Sequence, residues 1–81
     1  MAGLTFKGTV TDANVEETCQ CIVANSCSNT PEGMTKYGGL LITWYFGHPS
    51  YAFQILSERE FGTNVWIRVK TDWWRTWLKI F

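Results

Sequence analysis

The run NVWIRVK, residues 64–70, constrains this chain more than any other stretch. Val65, Ile67 and Val69 alternate with Trp66, Arg68 and Lys70, the period-two pattern of a half-buried strand. The turn formers Gly62, Thr63 and Asn64 introduce it, and Thr71-Asp72 follows it. It lies in the C-terminal third, residues 51–81, with four of the five tryptophans and five of the seven basic residues. A strand of this kind needs neighbours, so the rest of the chain is read for them.

Upstream, GGLLITWYF (residues 38–46) reads as a strand that is apolar on both faces, hence central or covered on both sides. Gly47-His48-Pro49-Ser50 reads as a turn, and YAFQILS (residues 51–57) as the antiparallel partner. Its Tyr51, Phe53 and Ile55 share one face; Ala52, Gln54 and Leu56 share the other. SEREFGT (residues 57–63) is a charged connection. Residues 19–24 alternate, with Cys19, Cys21 and Val23 opposite Gln20, Ile22 and Ala24, and NSCSNTPEG (residues 25–33) reads as a loop. Residues 4–10 form an edge strand or an extended arm. Thr11-Asp12 caps a possible single helical turn through Glu17. Residues 76–81 close a meander; the rival is a helix capped by Asp72 with Trp73, Trp77 and Phe81 at i, i+4 spacing. The expected fold is therefore one mainly β domain over residues 1–81. It is a small antiparallel meander sheet with an N-terminal arm or strand packed across it and at most one short helical turn.

A chain of 81 residues has a thin stability margin, and five tryptophans, three tyrosines and five phenylalanines exceed what its core needs. Surplus aromatics at a surface mark a subunit interface or a ligand groove, which makes self-association an expectation. Formal net charge is zero, which argues against nucleic acid as a partner. Residues 1–34 carry Lys7 against Asp12, Glu16, Glu17 and Glu32, whereas the basic residues gather near the C-terminus. No apolar h-region follows Met1 and no apolar run has the length of a membrane span. Cys19, Cys21 and Cys27 make an odd count, and a bridge between residues two apart on one strand face is strained. They read as small, reduced, buried residues, with the sole histidine, His48, distant in sequence from them.

No nucleophile elbow, phosphate loop or metal-ligand pair is present, so no catalytic residue, metal ligand or cofactor is assigned. Glu58 and Glu60 read as a solvated pair in a connection. The aromatic rings give the stronger signal. Trp44, Trp66, Trp73 and Trp74 are the candidate contacts for a partner or a glycan. Arg68, set among apolar residues, is placed to stack on an indole or pair with a carboxylate, and Gln54 to hydrogen-bond across the same face.

An ordered set of motifs then comes into view: FKGTVTDAN (6–14), NTPEG (29–33), GGLLITW (38–44), YAFQI (51–55), NVWIRVKT (64–71) and WRTWLKI (74–80). In this order the chain resembles the pyocin-knob-like domain of phage tail fibres and related contractile-tail particles, over nearly its whole length. It departs from that pattern at TCQCIV, where cysteines replace aromatics, and at Thr71-Asp72-Trp73, where the family turn usually holds glycine. The resemblance implies scaffold roles for Gln54, Arg68 and Trp77. It also implies a non-enzymatic virion part of a trimeric fibre, made in the host cytoplasm, with itself and other virion proteins as partners. A host cell-surface glycan is a further expected partner; nucleic acid and membrane insertion are not expected. With Met1 read as a start, the chain would be a small stand-alone fibre tip, head-fibre or capsid decoration protein; otherwise it would be an excised domain. Two functions of a different class compete with the virion part. One is a carbohydrate-binding module, and the other is a small membrane-active or regulatory protein using a C-terminal amphipathic helix.

Overall fold

The computed structural model describes residues 5–34, 38–46, 51–58 and 64–81. The turn at residues 47–50 with His48, the connection at 59–63 with Glu60, and Met1 lie outside the described residues. Six strands form one sheet in chain order: β1 (Thr5–Asp12), β2 (Cys19–Ser28), β3 (Gly39–Tyr45), β4 (Ala52–Glu58), β5 (Val65–Lys70) and β6 (Leu78–Lys79). The fold is mainly β, and none of the described residues is helical. Strands β2 through β6 are an antiparallel meander.

The sheet is mixed rather than purely antiparallel, because β1 pairs with β2 in parallel. A parallel neighbour forces the chain to return the length of the strand before starting again. Here the return is residues 13–18, and seven Cα steps reach only about 25 Å when fully extended. A helical turn at this place would be too short, which is why the expected cap at Asp12 does not start one. Asp12 Oδ1 instead accepts the Asn14 backbone N–H at 2.9 Å, an Asx turn that redirects the chain. It also accepts the Asn29 side-chain amide at 2.8 Å. What packs across the sheet is thus the β1–β2 connection, whereas the N-terminal strand lies beside it.

The β1–β2 register is irregular as well. Val10 faces Val23, but Asp12 faces Ser28, so β2 carries three extra residues over that interval. Such a bulge bends its strand and increases the local twist. β2 therefore runs on through the first four of the nine residues expected as a loop, and the turn begins at Asn29, which takes a positive φ of 64°. Gly38 also takes a positive φ of 73°, and a Cβ there would collide with the Val23 carbonyl oxygen. Gly38 thus lets β3 begin close against β2, and Gly39, where a Cβ would collide with the Ser57 carbonyl oxygen, lets it begin close against β4.

The inner face is ordered in rows. Cys21, Leu41, Leu56 and Trp66 stand opposite one another across β2–β5 and form the apolar row. Beside it, Cys19, Thr43, Gln54 and Arg68 form a polar row, also buried. Ala13, Cys27 and Val23 complete the core, with Val10, Val15, Met34 and Trp77 packed against it. The outer face is different. Strand β3 is central, yet its outward Leu40 is exposed and Ile42 and Trp44 are half-buried, so it is covered on one side only. The C-terminal segment is extended: Leu78 pairs with Ile67, and Ile80 N–H bonds the Val65 carbonyl at 2.8 Å, so no amphipathic helix forms there.

All three cysteines are free and buried. Burial is the main cause that pushes each thiol above its ordinary value of 9.0, and Cys21, which also neighbours Cys19 and Cys27, reaches about 12. At pH 8 the native protein is therefore expected to leave a disulfide-exchange thiol reagent unreacted, while the urea-unfolded chain titrates three thiols. A fast-reacting thiol in the native protein would contradict this packing.

Candidate functional site

The polar row of the inner face gathers around Arg68. β5 presents its side chain inward, and it is 6 % exposed. Its Nε–H donates to Gln54 Oε1 at 2.7 Å. Its Nη2 donates to the Ala13 carbonyl at 3.1 Å and to Asn14 Oδ1 at 2.8 Å. Gln54, fully buried on β4, donates from Nε2 to the same Ala13 carbonyl at 2.7 Å and to Thr43 Oγ1 at 2.9 Å. Both ends of the Gln54 amide are used, which fixes its orientation. Two strands and the returning connection are thereby tied at one carbonyl.

Trp74 and Trp77 supply the rest. Each ring centroid lies 4.3 Å from the Arg68 guanidinium carbon. The turn after β5 brings them back over the face. Thr71 N–H bonds the Trp73 carbonyl at 3.1 Å, Arg75 N–H bonds the Val69 carbonyl at 2.8 Å, and Lys70 bridges Trp74. Trp77 Nε1 donates to the Asn29 carbonyl at 2.8 Å and so anchors on the turn after β2. Trp74 Nε1 is buried without an acceptor among the described residues, so stacking rather than hydrogen bonding sets its ring. An indole attracts a desolvated guanidinium by about 2 kcal/mol or more.

Electrostatically the site is a buried cation without a directly paired carboxylate among the described residues. Burial lowers Arg68 from 12.5 to about 10, and the field of Asp12 opposes that shift. At neutral pH the group stays charged. Asp12 is held below its ordinary 3.8 first by the Asn14 N–H, then by the Asn29 amide, with Arg68 adding attraction. Such an arrangement holds backbone in place.

The sequence-assigned residues fall into distinct places. Gln54, Arg68 and Trp77 meet through Arg68. Trp74 joins them and is half-buried. Trp66 stands in the apolar row at 4 % exposure. Trp44 sits half-buried on the outer face, stacked on Phe53 at 5.6 Å between centroids. Trp73 projects from the turn at 75 % exposure. The partners that sequence reasoning missed are Ala13 and Asn14, which act through a main-chain carbonyl and a side-chain amide. Their signal was local: they close the segment FKGTVTDAN.

One open cleft of about 540 Å³ adjoins this cluster. Asn29, Thr30, Pro31 and Glu32 form one wall; Trp66, Thr76 and Trp77 form the other. Among the described residues no group of three acidic, cysteine or histidine side chains is placed to hold a metal ion. The chain matches no family model, no curated protein and no solved structure.

Arg68→Lys tests the cluster. A lysine keeps the charge but loses the fork that reaches Gln54, Ala13 and Asn14 together, and loses the flat stack on two indoles. The expected loss is about 2–4 kcal/mol in urea unfolding. A loss below about 0.5 kcal/mol, the range of a neutral surface change, would contradict the assignment.

Proposed function

We propose that this chain is a non-enzymatic virion protein, a knob of a tail or surface fibre that serves fibre assembly and host-surface attachment. The observation that carries the reading is the contact of Gln54, Arg68 and Trp77 through a single guanidinium. These are the three residues to which the resemblance gives scaffold roles. Three motifs within residues 51–80 then serve one purpose, which is to pin a small sheet shut on its inner face. A rigid domain stabilised in this way, with surplus aromatics outside, suits a part that assembles and adheres. The reading carries with it a homo-oligomer, with a trimer favoured, other virion proteins as partners, and the virion as its place. A capsid decoration or head-fibre protein is the same class of part at another position.

One observation favours a glycan as the surface contacted. The cleft beside Trp77 combines an aromatic wall with Asn29, Thr30, Glu32 and Thr76. Sugar rings pack on indole faces while carboxylates and amides bind their hydroxyls. Trp73, on the nearby turn, offers a further exposed ring.

Mass spectrometry of purified particles, made in cells expressing the tagged chain, tests the main reading. The chain is expected to copurify at the stoichiometry of a fibre or decoration protein. Its absence from particles would overturn the proposal. A glycan array tests the cleft: Glu32→Ala, at an exposed position, is expected to weaken a bound glycan about tenfold. Binding untouched by that change places the contact elsewhere.

A further inference from the structure

The strand pairing aligns the outward side chains into three rows. Phe6, Gln20, Ile42, Ile55, Ile67 and Leu78 lie in register across all six strands. Thr9, Ile22, Leu40, Ser57 and Val65 form the next row, with Ile80 bonded beside Val65. Trp44, Phe53 and Val69 form the third, and the first two of these rings are stacked. Apart from Gln20, Thr9 and Ser57 every member is apolar, and none carries a charge. Phe6, Ile22, Leu40, Val69, Leu78 and Ile80 are all exposed. The connection at residues 13–18 and the segment at 71–77 pack on the opposite face, so no described segment covers this one.

We infer that this outer face is where copies of the chain meet, a second copy laying its own outer face against it. The inference rests on the homo-oligomer of the proposed function, takes the face-to-face dimer rather than the trimer as its form, and names the surface responsible. Three arguments select a second copy as the occupant. The first is charge. A surface without charges gains nothing from a charged partner and desolvates at no ionic cost against an equally uncharged one, and this chain's own outer face meets that condition.

The second is area. Six strands at ~4.8 Å spacing span roughly 24 Å, and three rows at ~6.8 Å span roughly 20 Å with side chains. Two such faces give a flat footprint of about 1,000 Å², and the corrugated contact exceeds it, which reaches the range of a specific interface. Sheets stack in this way at about 10 Å separation.

The third is the state of the sheet's edges. Strand β6 has two residues, and β1 is broken by a register shift between Phe6 and Thr9, where Gly8 takes a positive φ of 77°. Lys7 on β1 is engaged with Glu17 at 3.2 Å. Blunted edges of this kind discourage continuation of the sheet between chains. Association by stacking faces is left as the route.

Sedimentation equilibrium on the whole chain at about 50 µM tests the inference, in the affinity range that such areas support. The wild-type chain is expected to be a dimer, because two faces that cover each other close the assembly. Leu40→Lys with Val69→Lys puts two charges on exposed outer positions and is expected to raise the dissociation constant more than tenfold. Circular dichroism and cooperative unfolding check that the variant stays folded. Glu32→Lys, on the cleft side, is expected to associate as the wild type does. A monomeric wild-type chain, including one that binds vesicles or another protein through this face, would overturn the inference. So would an oligomer that the two lysines leave intact while Glu32→Lys dissociates it. In that second case the oligomeric virion reading survives, and only its interface is wrong. Absence from particles, with a face-dependent oligomer present, fails the virion reading and leaves this inference standing.

Discussion

Arg68 is a cation taken out of water without a carboxylate hydrogen-bonded to it among the described residues, and the inner face is arranged to make that tolerable. Its N–H groups are met by the Gln54 amide, the Ala13 carbonyl and the Asn14 amide oxygen. Two indoles stack against its plane. Remove any of these and a buried charge is left short of partners, a costlier state than the contact's own net worth. The demand runs in the other direction as well. The return from β1 to β2 is too short to form an element of its own, and it is held by the groups that satisfy Arg68. The same cluster fixes the C-terminal tryptophans, which in turn close the cleft against the turn at Asn29.

This arrangement divides the molecule into two faces with different roles. The described covering segments go to the inner side, where the polar row requires them. The outer side keeps its aliphatic rows, and no described segment lies over them. The surplus of aromatic and aliphatic residues visible in the composition thus has a structural location, and the apolar outer rows give oligomerisation a physical motive.

Much of the sheet was legible because period-two alternation sorts side chains onto two faces. That partition of residues 64–70 and 51–57 follows directly from it, but which face is inner does not: Trp66, Arg68, Gln54 and Leu56 are buried, whereas the aliphatic Val69 is exposed. The parallel β1 was not legible, since its direction depends on where residues 13–18 go, and no local pattern encodes an extended return. Asp12 misled for a physical reason. An aspartate whose side chain accepts a backbone N–H two residues on serves an Asx turn as well as a helix cap. The extent of β2 was hidden by NSCSNTPEG, because turn-forming residues also suit a bulge. Of the site, Gln54 and Arg68 were visible on one face, whereas their meeting at Ala13 was not, because a main-chain carbonyl has no sequence signature.

The central claim is that the return connection and the sheet are one cooperative unit joined through Arg68 and Gln54. Native-state hydrogen exchange at Ala13, whose N–H bonds the Ser28 carbonyl at 2.9 Å, tests it most directly. The account predicts that this amide exchanges only through global unfolding, with the same protection and the same denaturant dependence as the central amides of β4. Exchange through a local opening, orders of magnitude faster than those amides and insensitive to denaturant, would contradict it.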